Sequence, residues 1–211
     1  MQLGKAMLLV LQGEVFMRRK MYPEARAKLV ESYKEEPENL GVRRAAVKLF
    51  AADPDQGPVR ALKLLDKVVK DFGDMPILRL ERADLLTVIN DEDLTDQLFS
   101  LTEGIDDWEN SKKVQLWRGL ADKFRRLRNE EARAECLQQV TALSPGDLPS
   151  LLETFQIARQ AGDDAGMQEA QAKILKVVKS KENPTWLFTE ANRKLAAWRA
   201  AGGKGNALEQ A

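Results

Sequence analysis

The chain has 211 residues, of which 44% are hydrophobic and 31% charged, so it can bury a core of one or two domains. Its 33 basic and 33 acidic residues balance, whereas nucleic-acid binders usually carry excess positive charge. The absence of histidine and the single cysteine, Cys136, exclude an internal disulfide and a zinc site of cysteines and histidines. Since the commonest general base is missing as well, we expect no cofactor, no metal site and no catalytic residue, in a protein that is not an enzyme.

Apolar residues that recur every three or four positions, separated by helix breakers, predict a series of helices in chain order. The predicted helices cover 3–19, 22–36, 39–52, 58–72, 75–89, 93–104, 109–127, 129–143, 147–161, 164–181 and 184–201. The sequence shows no sustained alternation and no Asn-Gly or Asp-Gly turn, so we expect no sheet. Its apolar runs fall well short of the roughly 18 residues of a membrane span, so we expect no membrane insertion.

A spacing of small and large residues marks the first two predicted helices as a hairpin. Gly13 is followed by Phe16, and further along by Ala25, Leu29 and Pro37. Two helices joined by a short turn pack closely only where one side chain is small, so Gly13 and Ala25 are predicted to face each other. Pro37 is predicted to end the second helix, because proline lacks the N–H that helical hydrogen bonding requires.

The same pattern returns along the chain. The tetrapeptide Glu-Ala-Arg-Ala at 24–27 recurs at 131–134. Helix-ending residues follow one another 34 to 39 residues apart, at Pro37, Gly73, Asp107, Pro145 and Pro184. This pattern resembles the tetratricopeptide repeat (TPR) family, whose unit has roughly 34 residues. The resemblance implies an all-α fold, a right-handed superhelix of antiparallel helix pairs with about five hairpins plus a terminal helix.

The resemblance also divides the chain into one repeat domain, 1–201, and a short tail. The approximate repeats are 3–37, 39–73, 75–107, 109–145 and 147–184, followed by a terminal helix at 184–201. Residues 202–211 are predicted to be a flexible tail or the start of a further truncated repeat. Solenoids need polar capping units at their ends, and we therefore expect a fragment of a longer TPR protein, or a chain whose last helix is an imperfect cap.

In the TPR superhelix, the first helix of each pair, helix A, lines the concave face that meets the partner. Transfer of that register gives a set of candidate partner-binding residues, namely Arg44, Lys48, Arg118, Arg125, Arg159, Val10, Leu80 and Phe155. The basic members predict a locally positive face and hence an acidic or phosphorylated peptide partner. Glu14, Asp84 and Asp122 lie on the same predicted face and would oppose that charge. The alternative interpretation is that these charges only form a solvated helix face.

The function implied by the resemblance is a non-catalytic protein–protein interaction scaffold that binds a peptide or protein partner through its concave face. The alternative is a substrate-selecting accessory region of a larger enzyme, such as a transferase. Chaperone tails are disfavoured as partners, because Val10, Glu14 and Ala45 occupy positions where co-chaperones of this family carry a carboxylate clamp. The lone cysteine fits a reducing compartment, so we expect a cytoplasmic protein, or a periplasmic one if the chain belongs to a longer exported protein. The oligomeric state is left open.

Overall fold

The computed structural model describes residues 4–90, 92–200 and 202, and those residues form eleven α-helices and no strand. The helices are α1 (Lys5–Arg18), α2 (Tyr22–Glu35), α3 (Leu40–Ala52), α4 (Gly57–Phe72), α5 (Pro76–Ile89), α6 (Leu94–Ser100), α7 (Asn110–Leu127), α8 (Glu130–Leu143), α9 (Leu148–Ala161), α10 (Asp164–Val178) and α11 (Pro184–Ala200). The all-α prediction is therefore confirmed. Within the described ranges, no helix combines the length and the apolar character needed to cross a membrane.

The helices pack as consecutive hairpins in two compact units, which divide between Glu103 and Gly104. In the first unit, α1 packs against α2, α3 against α4, and α5 against α6. In the second unit, α7 packs against α8 and α9 against α10, while α11 packs against both α9 and α10. The first helix of each hairpin is called helix A below, as is α11, and the second helix is called helix B.

The turns that join the helices repeat along the chain. Between α1 and α2, Lys20 has a left-handed backbone with φ 60°, and the N–H of Met21 donates to the carbonyl of Phe16. Between α7 and α8, Arg128 has φ 59°, and the N–H of Asn129 donates to the carbonyl of Phe124. Both turns are Schellman-type ends, which satisfy carbonyls that a helix end leaves free. Equivalent turns thus stand 108 residues apart, a distance that three repeats of 36 residues would span.

The turns that lead from helix B to the next helix A also correspond. Pro37 and Pro145 follow the ends of α2 and α8. Two residues after each proline, a side chain caps the next helix: Asn39 accepts from the N–H groups of Gly41 and Val42, and Asp147 accepts from the N–H of Ser150. A side-chain oxygen here satisfies N–H groups that the first turn of a helix leaves without partners. α2 and α8 therefore end just before Pro37 and Pro145, the prolines predicted to end them.

The close contact predicted in the first hairpin is present. A Cβ placed on Gly13 would lie 3.3 Å from Cγ of Leu29 and 3.5 Å from the carbonyl oxygen of Ala25. Ala25 has no exposed surface, and the hydroxyl of Ser32 donates to the carbonyl of Ala6, 2.9 Å away. The seam between α1 and α2 is therefore close because small residues face each other across it.

Two helices end three or more residues before their predicted ends, for local reasons. The helix predicted at 93–104 is shorter, because the N–H groups of Leu101 and Thr102 bond to carbonyls three residues earlier. The helix predicted at 164–181 ends at Val178, because Lys179 adopts φ 59°. The tail predicted at 202–211 lies outside the described residues, apart from Gly202.

Candidate partner-binding groove between α3 and α5

A groove separates two successive A helices of the first unit, α3 and α5. Its volume is about 340 Å³. Its lining comes equally from the two helices and consists of Val47, Lys48, Ala51, Ala52, Glu81, Asp84, Leu85 and Val88. Whereas α1 and α3 pack directly on each other, α3 and α5 approach less closely, and the space between them stays open.

Helical periodicity explains how the lining comes together. Residues three and four apart share one face of a helix, so α3 contributes 47, 48, 51 and 52, and α5 contributes 81, 84, 85 and 88. Val47 and Leu85 are buried and belong to the core that α3, α4 and α5 share. Ala51 and Ala52 are too small to fill the gap above that core. Val88 is 65% exposed and offers an apolar side chain at the rim.

Glu81 is the most unusual residue of the groove, since a carboxylate is rarely buried. The residue is only 7% exposed, and Nε of Arg44 donates to its Oε1 over 2.7 Å. The second carboxylate oxygen, Oε2, is buried and has no hydrogen-bond partner. Burial raises the pKa of the Glu81 carboxyl above its ordinary value, while the Arg44 guanidinium opposes that rise.

The charges that surround the groove balance one another. Arg44 and Lys48 are contributed by α3, and Glu81 and Asp84 by α5. Lys48 and Asp84 are exposed at the rim, and both act electrostatically on Glu81, Lys48 as an opposite charge and Asp84 as a like charge. The groove therefore has mostly apolar walls and a neutral sum of charges.

Of the predicted site residues, Lys48 lines this groove, Arg44 pairs with Glu81 of its wall, and Leu80 is half-buried on α5. Sequence reasoning did not single out Glu81, although a signal for it existed. Glu81 stands between Leu78 and Leu85 on the apolar stripe of α5, where a charged residue marks either a buried ion pair or a site.

Val10 and Phe155, which were predicted to contact a partner on an open face, have buried side chains that lie inside cores. Val10 is 4% exposed and packs in the cluster of α1, α2 and α3. Phe155 has no exposed surface and packs between α9 and α10. The register was shifted at these two positions, so side chains assigned to the open face point into the hairpin seam.

The predicted arginines of the second unit are held by neighbouring side chains. Arg118 forms an ion pair with Asp147, and Arg125 forms one with Asp122. Burial opposes a low pKa at Asp147, but hydrogen bonds from Ser150 and Arg118 hold its pKa below the ordinary value. The hydrogen bond from Arg125 likewise lowers the pKa of Asp122. These carboxylates offset much of the positive charge that was predicted to attract an acidic partner.

Arg159 lies elsewhere in the second unit. Its Nε donates to the side-chain oxygen of Gln156 over 2.8 Å, and it lines a second groove, between α9 and α11, together with Asn192 and Arg199. Each unit therefore has a groove between two A helices, and the groove that Arg159 lines has polar as well as apolar walls.

No family model and no curated protein matches the chain. The fold is TPR-like in its consecutive helical hairpins and their recurring turns. One similar solved structure is a MamA RS-1 double mutant, at 17% sequence identity. The match covers 86% of this chain and 99% of that chain, and its TM-score is 0.45. Another is YrrB, described as a TPR protein with an unusual peptide-binding site, at 11% sequence identity. The match covers 89% of this chain and 92% of that chain, and its TM-score is 0.42. A third is PilF of Pseudomonas aeruginosa, at 12% sequence identity. The match covers 94% of this chain and 93% of that chain, and its TM-score is 0.48.

These solved structures are too distant to transfer a ligand or a partner to this chain. What the chain shares with the TPR pattern is visible in its own geometry: small residues in the hairpin seam and equivalent turns 108 residues apart.

Proposed function

We propose that this TPR-like protein is a non-catalytic protein-interaction scaffold, which binds a peptide or protein partner through its A helices, with the groove between α3 and α5 as the main contact. The observation that carries the proposal is the combination of apolar walls, an exposed Val88 and a rim of opposite charges in one groove. Protein interfaces commonly combine an apolar centre with a polar rim.

The balance of charge around the groove favours apolar recognition over charge attraction. The acidic or phosphorylated peptide expected from the sequence has less support, since Arg44, Arg118 and Arg125 already have carboxylate partners. Lys48 and Asp84 at the rim would instead orient a partner by opposite charges, while Val88, Ala51 and Ala52 supply the apolar contact.

The state of the single cysteine supports a non-catalytic role. Cys136 has no exposed surface, and burial raises the pKa of its thiol to about 12. A nucleophilic cysteine needs a lowered pKa and access to substrate, so Cys136 is suited to packing and not to catalysis.

The proposal is tested by a charged substitution in the groove. A photo-crosslinking residue at position 88 first identifies the partner, which is then purified and titrated against Val88→Arg. We expect binding to weaken by about tenfold or more, because the arginine would bring an uncompensated charge into an apolar contact. Isothermal titration calorimetry measures the change.

Val59→Arg is the matched control. Val59 is 57% exposed, on α4, a B helix, so it is a similarly accessible valine away from the groove. Its substitution should change affinity by less than about twofold, as expected for a surface position outside an interface. Equal affinities for Val88→Arg, Val59→Arg and the unaltered protein would mean that the partner binds elsewhere.

A further inference from the structure

Three large apolar side chains form an exposed stripe along α1, called the α1 stripe below. Leu8, Leu11 and Val15 are 47%, 43% and 49% exposed, and they line one shallow cleft along α1 and α2. Their spacing of three and then four residues places them on one face of the helix. A contiguous apolar patch on a surface marks a contact site more often than scattered apolar residues do. The α1 stripe therefore calls for an occupant.

The equivalent residues of α3 are covered. An aromatic residue packs beside the hairpin core near the end of each helix, Phe16 in α1 and Phe50 in α3. Aligning these two places Val42, Ala45 and Leu49 at the positions of the α1 stripe. All three are at most 3% exposed and share one core with residues of α1 and α2. On α3, the preceding hairpin thus covers the stripe.

The equivalent residues of α5 are covered in the same way. Leu78, Glu81 and Leu85 keep the spacing of three and then four residues and are at most 7% exposed. Leu78 and Leu85 share a core with residues of α3 and α4. Of the A helices in the first unit, α1 is the one whose stripe is open to solvent, and it is the first helix of the described residues. The α1 stripe therefore has the spacing and composition of a helix-packing surface.

The two ends of the α1 stripe have opposite charge. Arg18 and Arg19 are exposed at the C-terminal end of α1 and make that end positive. At the N-terminal end, Lys5 pairs with Glu35 of α2, 2.6 Å away, so these two charges cancel. Glu36 lies beside the start of α1 and leaves that end negative. A partner that complements this surface carries the same two charges in reverse order.

A second copy of the chain, turned end to end, meets both requirements. Leu11 lies midway along the stripe, so a twofold axis near it places Leu8 of each copy opposite Val15 of the other. The same rotation sets the positive end of each stripe against the negative end of its counterpart. Parallel packing would instead bring like charges together.

We propose that the α1 stripe binds the α1 stripe of a second copy, which gives an antiparallel twofold dimer. Such an interface is self-complementary, because the same residues contribute from both copies. The α1 stripe shares no residue with the groove between α3 and α5. The dimer therefore goes beyond the proposed function and is tested separately from it.

Sedimentation equilibrium of the full chain tests self-association over about 1–300 µM, a range that suits a small, weak interface. We expect the average mass to rise with concentration towards twice that of the monomer. Leu11→Glu should weaken the dimer at least about tenfold, because it brings two carboxylates together at the axis. Since Leu11 is 43% exposed, the variant should fold, which circular dichroism checks.

Val30→Glu is the matched control for Leu11→Glu. Val30 is 53% exposed on α2, on the flank that also carries Arg26 and Tyr33, which contact Asp53 and Arg43. That flank lies on the other side of α2 from the cleft of the α1 stripe. The substitution should change the dimer dissociation constant by less than about twofold.

Disulfide cross-linking tests the direction of packing. Leu11→Cys should cross-link to itself across the axis. Leu8→Cys and Val15→Cys should cross-link when mixed but not alone, because antiparallel packing separates the two copies of each by about 10 Å along the helix, too far for a disulfide. Cys136 is buried, and burial raises the pKa of its thiol to about 12, so it should not compete.

A protein that stays monomeric over the whole concentration range would overturn the proposal. So would an equal dissociation constant for Leu11→Glu and the unaltered protein. Self-cross-linking of Leu8→Cys and Val15→Cys without a mixed product would overturn the antiparallel arrangement. A photo-crosslinking residue at position 11 that links in cells to another protein, and never to a second copy, would assign the stripe to that protein instead.

Discussion

Cys136 and Glu81 are two single residues whose chemistry depends on burial. Both are ionisable, and taking an ionisable group out of water disfavours its charged form. Glu81 keeps a compensating partner in Arg44, so its carboxylate can remain charged inside the protein. The thiol of Cys136 is shifted by burial to a pKa of about 12, so it stays protonated at physiological pH.

The protonation state of the Cys136 thiol can be measured from its rate of chemical labelling. The thiolate is the reactive form, and a pKa of about 12 instead of 9.0 leaves about 1,000-fold less of it at pH 8. We expect native protein to react with a disulfide reagent at pH 8 at least that much more slowly than protein unfolded in urea. Absorbance of the released thiol measures the rate.

A variant with an added accessible cysteine is the control for labelling. Val88→Cys should show one fast equivalent from the exposed position 88 and one slow equivalent from Cys136. A fast equivalent in the unaltered native protein would show that Cys136 is accessible, contrary to the structure.

At the scale of the elements, the hairpin is the unit that organises this chain. Gly13 and Ala25 allow α1 and α2 to pack closely, and Leu29 fills the space next to Gly13. The turn at Lys20 then reverses the chain. There the N–H of Met21 donates to the carbonyl of Phe16, so this carbonyl at the end of α1 has a hydrogen-bond partner. Small residues in the seam and a Schellman turn together make the hairpin compact.

Overpacking that seam should destabilise the protein. We expect Ala25→Leu to lower the free energy of unfolding by about 1–3 kcal/mol, because α1 leaves no space for three further carbons at a position without exposed surface. Ala27→Leu, on the exposed side of the same helix, should change it by less than about 0.5 kcal/mol. Urea denaturation measures both. Equal stability of the two variants would show that Ala25 does not lie in the seam.

At the scale of the whole molecule, the chain contains two compact units with cores of their own. Leu65 belongs to the core of α3, α4 and α5 in the first unit, and Phe155 to the core of α9 and α10 in the second. In repeat proteins, stability is approximately a sum of local terms and terms between neighbours. A destabilising substitution in one unit should therefore lower the stability of that unit most.

Native-state hydrogen exchange tests this division. Leu65→Ala should reduce the protection of α3, α4 and α5 by about 2–5 kcal/mol, the usual effect of a large cavity. The protection of α9 and α10 should fall by less than half as much. Phe155→Ala should give the reverse pattern. An equal loss in both units from either substitution would indicate a single cooperative structure.

Much of the fold could be predicted because its signals are local. Apolar periodicity and the prolines at 37 and 145 located the helices to within a few residues, and the spacing from Gly13 to Ala25 indicated the first seam. Boundary errors arose where backbone conformation decided the end, as at Lys179. The site was less predictable: Arg44 and Lys48 lie at the groove, whereas Val10 and Phe155 are core residues.

The amino-acid sequence by itself determined that the chain is helical, where its helices turn and which small residues face each other in the first hairpin, since these depend on residues close together in the chain. Only the tertiary structure decided which side chains are covered and which charges are paired. Arg44 and Glu81 stand 37 positions apart, and Arg118 and Asp147 stand 29 apart. Periodicity defines a face of a helix, but the neighbouring helix decides whether that face is a core, an ion pair or an open groove.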